Sequence, residues 1–177
     1  MIWRIHELGE TAVECFDQNR AAAGMILVRG LFESALVIFL VELKMSKFEP
    51  SQHNELKALL SKLWAGEGKD SILLNPVKPT KIIGYLKDLQ GIKKVYDSLS
   101  NYSHPNRSAQ RLSSVYDSET TVMTFGNFPK NSIEFGAGVL CETLRLVEIS
   151  YNSITELMSD FTAKCEIAVA EGKRTAR

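Results

Sequence analysis

The stretch from Met25 to Leu43 is apolar at nearly every position, so a helix formed there would present apolar side chains on almost all of its sides. Such a helix is stable when it is buried on nearly every side. We therefore predict that residues 25–43 form the central helix of the fold. Residues 2–23 also repeat apolar residues at alternating spacings of three and four. The pattern leaves open whether residues 2–46 form one helix or two.

Two shorter helices are predicted in the middle of the chain. The central helix should end near residue 46, because Pro50 cannot easily continue it. Ser51 is a candidate N-cap for an amphipathic helix that runs to residue 64. A further helix is predicted over residues 80–103, where apolar residues recur at spacings of four and three. Its stripe consists of Tyr85, Leu89, Ile92, Tyr96 and Leu99.

The pattern changes between residues 106 and 131. Residues 114–117 and 121–125 are rich in β-branched and aromatic side chains, and three polar residues separate the two runs. This arrangement predicts a β-hairpin. A lone hairpin is marginally stable in water, so we expect it to lie on the helices.

The C-terminal segment carries the longest regular pattern. From Ile133 to Ala168 apolar positions follow spacings of four and three through five heptads, with Asn131 or Ser132 as the predicted cap. This apolar surface is larger than one bundle is expected to cover. We therefore predict a homodimer through the C-terminal helix. The residues predicted to be buried between the two copies are Tyr151, Ile154, Met158 and Phe161.

Together these elements predict an all-α helical bundle with long N- and C-terminal helices and a small hairpin or irregular insertion at about residues 106–131. A chain of 177 residues fits one domain, so residues 1–177 are predicted to form a single helical domain. Its 45% hydrophobic and 24% charged residues are typical of a folded protein.

Charge, cysteines and the N-terminus narrow the functional classes. The 21 lysines and arginines balance the 21 aspartates and glutamates, so no overall field attracts nucleic acid or anionic lipid. The three cysteines have neither metal-ligand nor disulfide-framework spacing, and we predict no metal and no cofactor. Arg29 and Glu33 interrupt the apolar helix and argue against a membrane span. With no secretory signal, the chain is predicted to be cytoplasmic and to have no membrane partner.

Candidate chemistry lies in two places. Arg29 and Glu33 are four residues apart and therefore share one stripe of a helix. They form either a structural ion pair or a polar functional site. His104 precedes Pro105 and should therefore lie at a helix end, where it either caps carbonyl groups or acts as a general acid and base. Asn101, Tyr102 and Asn106 are its neighbours in the sequence and the predicted substrate-binding residues.

The Arg-Gly-Leu-Phe-Glu run at 29–33 and the run Tyr-Asp-Ser-Leu-Ser-Asn-Tyr-Ser-His-Pro-Asn at 96–106 resemble the HEPN superfamily. Its members are helical bundles, often dimers, and many are ribonucleases of toxin, abortive-infection or CRISPR-associated defence systems. The resemblance implies that His104 is the histidine of the family's Arg-x4-6-His motif. Residues 97–100 contain no arginine, so Arg29 is the predicted substitute.

Two functions follow as hypotheses. The first is a protein of a defence or toxin-type system that binds RNA or cleaves it without a metal ion. In this hypothesis His104 is the general acid and base, Arg29 holds the phosphate, and Glu33 orients either His104 or Arg29. In this hypothesis the polar residues meet around a small cleft. The alternative is a non-catalytic helical module for dimerisation or protein interaction, in which the Arg29, Glu33 and His104 cluster is structural.

Overall fold

The computed structural model describes residues 2–65, 78–86, 91–103, 114–125 and 130–175. The all-α class is confirmed, and a short hairpin is the main interruption within these ranges. The helices are α1 (Ile2–Asp17), α2 (Ala21–Ser46), a 3-10 helix (Pro50–Gln52), α3 (His53–Ala65), α4 (Pro79–Tyr85), α5 (Ile92–Ser103) and α6 (Lys130–Thr175), and the strands are β1 (Ser114–Asp117) and β2 (Val122–Phe125).

Residues 2–46 form two helices rather than one. The break lies at Asn19, whose φ is 56°. The Arg20 amide donates to the Cys15 carbonyl at 2.7 Å, and the Asn19 amide donates to the Phe16 carbonyl at 3.0 Å. This is the Schellman pattern of a helix C-terminus, and asparagine adopts the left-handed conformation it requires more readily than most residues.

The central helix predicted at residues 25–43 is present as part of α2, which ends at Ser46 as expected. Its most apolar 18-residue window has a mean hydropathy of 2.0 and is 61% buried within the chain. By length and composition α2 could cross a membrane, but a core helix passes the same test. Many of its side chains are completely buried, including Val28, Leu31, Ala35, Leu36 and Leu40.

The single helix predicted over residues 80–103 is wrong, because the structure has two helices there. α4 ends at Tyr85, and Gly91 has a φ of 88° immediately before α5 begins. That conformation is outside the helical region and is accessible to glycine at little cost. Tyr85 is 41% exposed, so it does not belong to a buried stripe, whereas Leu99 of α5 is fully buried.

Ser51 does not cap α3 as predicted. It lies inside the 3-10 helix, and α3 begins two residues later at His53. Within α3, Leu56 is buried, whereas Leu60 is 36% exposed. The backbone turns before α3 because Pro50 begins the 3-10 helix and the Gln52 amide donates to the Glu49 carbonyl at 2.9 Å.

The predicted hairpin is present. β1 and β2 pair antiparallel, with Ser114 opposite Phe125 and Asp117 opposite Val122. The connecting turn contains Thr121, whose φ is 56°. The sequence pattern therefore located both strands to within one residue.

α6 begins at Lys130, so Asn131 and Ser132 lie inside the helix rather than at its cap. The buried residues of α6 also differ from the predicted heptad stripe. At every second position of that stripe, the buried residue is the one immediately before the predicted residue. Leu140 and Val147 belong to both, but Tyr151 and Met158 are 54% and 52% exposed. The buried seam consists of Gly136, Leu140, Thr143, Val147 and Ser150.

The chain divides into two compact units, so the single domain predicted over residues 1–177 stays a prediction. The first comprises Met1–Ala35 and Lys87–Leu146, and the second comprises Leu36–Leu86 and Val147–Arg177. In the first unit, a Cβ added at Gly136 would lie 2.6 Å from Phe16 Cζ, so this glycine permits close packing. In the second, the rings of Phe48 and Phe161 pack at a centroid distance of 5.0 Å.

Candidate functional site

Arg29 and Glu33 form an ion pair on α2, as their spacing predicts. Arg29 Nε donates to Glu33 Oε1 at 3.1 Å. Their side chains are 23% and 31% exposed, so the pair is partly accessible to solvent rather than sealed in the core. A charge-assisted hydrogen bond in this setting both neutralises the arginine and fixes the direction of its guanidinium group.

Tyr96 completes this cluster from α5. The Arg29 guanidinium carbon lies 5.7 Å from the centroid of the Tyr96 ring. A cation over an aromatic face at this distance is attracted by the negative charge density of the ring. We call Arg29, Glu33 and Tyr96 the α2–α5 cluster. Tyr96 was predicted only as part of an apolar stripe, and a tyrosine opposite a predicted core arginine was the signal for its polar role.

Two of the other predicted site residues, Asn101 and Tyr102, lie in described parts of the chain and have surroundings that differ from this cluster. Asn101 is exposed, and the half-buried Tyr102 ring packs against Phe135 at a centroid distance of 5.7 Å. Asn101 follows Tyr96 by five residues, which turns it by about 140° around α5. His104 and Asn106 lie outside the residues that the structure describes.

The α2–α5 cluster contains one cation and one carboxylate. The hydrogen bond to Glu33 uses the Nε–H of Arg29, which is one of the five N–H donors of a guanidinium group. Across the described parts of the chain, no group of three or more histidine, cysteine or acidic residues is placed to hold a metal ion. A shallow cleft lies elsewhere, in the second unit, lined by Lys44, Phe48, Gln52, Glu55, Leu56 and Leu59.

A second candidate surface lies on α6, within the second unit. Tyr151, Met158 and Val169 are large apolar residues that are 54%, 52% and 44% exposed. Thr155 and Thr162, which are exposed, and the half-buried Cys165 complete a line of residues spaced four, three, four, three and four apart. Residues at this spacing lie on one face of a helix. We call the six residues the outer stripe.

The two other residues of the predicted dimer interface have different surroundings. Phe161 packs on Phe48 of its own chain, and Ile154 is half-buried. The predicted interface is therefore divided between an inward face and the outer stripe. The one-residue offset between the two faces explains why a single heptad pattern could not separate them.

No family model, curated protein or solved structure matches this chain. The HEPN resemblance of residues 29–33 and 96–106 accordingly stays a prediction. The α2–α5 cluster and the outer stripe are the features on which a function can be argued.

Proposed function

We propose that this chain is a helical self-association module in which the outer stripe of α6 pairs with the same stripe of a second copy. The observation that carries the proposal is the exposure of Tyr151, Met158 and Val169 along one helical face. Scattered apolar residues are ordinary on a protein surface, whereas a line of them on one helix is typical of an interface.

Burial of the exposed apolar side chains of the outer stripe contributes favourably to this pairing. Full burial of a large apolar side chain contributes about 1.5–3 kcal/mol, and roughly half of that is still to be gained by a side chain that is half exposed. In a two-fold dimer each interface residue occurs once in each copy, so its burial energy contributes twice. Several such residues together offset part of the cost of association, which is estimated at about 4–15 kcal/mol.

A matched pair of variants tests the proposal. Met158 and Ile149 are 52% and 53% exposed on the same helix. They are nine residues apart and therefore point in nearly opposite directions. Met158→Glu should raise the dissociation constant of the dimer by at least tenfold, because it places a charge in the interface. Ile149→Glu should leave the constant within about threefold, and sedimentation equilibrium measures both. Equal effects of the two substitutions would contradict the proposal.

The second candidate function is that of an HEPN-like protein of a defence or toxin-type system that binds or cleaves RNA. It is favoured by the α2–α5 cluster, where a partly exposed arginine lies against a tyrosine of α5. His104 follows the last residue of α5 in the sequence. An arginine and a histidine are suited to holding a phosphate and transferring a proton.

His104→Ala tests this candidate through two measurements. If His104 is the acid and base, the substitution should abolish RNA cleavage and growth arrest on expression while leaving the melting temperature almost unchanged. His53→Ala, on α3, is the control and should keep the activity. A loss of several degrees of melting temperature, with no wild-type activity to lose, would count against RNA cleavage.

A further inference from the structure

We draw no further inference here: the strongest candidate, the shallow cleft of the second unit that is lined by Lys44, Phe48 and Leu56, has a volume of about 30 Å³, which is room for about two water molecules, and nothing in the structure shows what ligand would fill it.

Discussion

α2 and α6 are both long helices with regular apolar patterns, yet their surroundings differ. α2 is apolar on nearly all sides and has many completely buried side chains. α6 is buried along a narrow seam and carries exposed apolar residues on other faces, including Leu146, Ile149, Tyr151 and Met158. The burial of α2 follows from its composition alone, because apolar side chains would face the core whichever way the helix was rotated about its axis. For α6 the neighbouring side chains decide which of two adjacent stripes faces inward.

Small residues explain which face of α6 is buried. Its inward seam includes Gly136, Thr143 and Ser150, each of which is less apolar than the residue that follows it in the sequence. Gly136 lies against Phe16 and Met25, where a larger residue would overlap both. The Thr143 hydroxyl donates to the Val139 carbonyl at 2.6 Å, so its burial leaves no lost hydrogen bond. Close approach therefore outweighs the greater hydrophobicity of Ala137, Leu144 and Tyr151, the residues one position further along.

The largest expected difference between the two helices is in the cost of removing a leucine. Leu31→Ala in α2 should lower the free energy of unfolding by about 2–5 kcal/mol, because the side chain is fully buried and leaves a cavity. Leu146→Ala in α6 should cost less than about 1 kcal/mol, since Leu146 is 44% exposed. Urea unfolding of both variants measures this contrast. Similar losses in the two would contradict the assignment of Leu146 to an outer face.

Two glycines of α6 provide a sharper test of the seam. Gly136→Ala should destabilise the fold by about 1–3 kcal/mol, because the added Cβ would lie 2.6 Å from Phe16 Cζ and 2.7 Å from Met25 Sδ. Phe16 cannot easily move away, since Gly24 packs against the same ring. Gly138→Ala meets no atom within 4 Å and should stabilise the helix by about 0.5–1 kcal/mol. Thermal unfolding of the two variants should shift in opposite directions, and a shared sign would disprove the proposed seam.

The smallest effect concerns the ion pair of α2. A double-mutant cycle of Arg29→Met and Glu33→Gln should give a coupling energy of about 0.5–1 kcal/mol, reduced by added salt. Partial exposure makes this value smaller than the roughly 3–5 kcal/mol expected for breaking a fully buried pair. The exposed Lys93 and Asp97 pair on α5, at the same spacing, is the control and should give about 0.3–0.5 kcal/mol. A coupling above 3 kcal/mol would mean that Arg29 and Glu33 are more deeply buried than described.

Much of the fold could be predicted from local patterns. The all-α class, the end of α2 at Ser46 and both hairpin strands follow from apolar periodicity and β-propensity. The break at Gly91 was missed because helical spacing continues across it from Tyr85 to Leu99. Periodicity reports which residues are compatible with one face and gives no information on backbone conformation between them.

The candidate site was less predictable because it depends on contacts between distant segments. The Arg29 and Glu33 pair is local to one helix and followed from its spacing. Tyr96 reaches Arg29 only through the packing of α5 on α2, which no spacing within either helix specifies. Sequence proximity to His104 likewise suggested a common site for Asn101 and Tyr102, although successive helical residues point in different directions.

The central claim is that the outer stripe is a self-association surface, and sedimentation velocity of the wild-type protein tests it most directly. A concentration series from below to above the micromolar range should show a monomer of 19.8 kDa converting to a species of twice that mass. The same series with Met158→Glu should remain monomeric over a range at least tenfold higher. A single 19.8 kDa species at every wild-type concentration would contradict the claim.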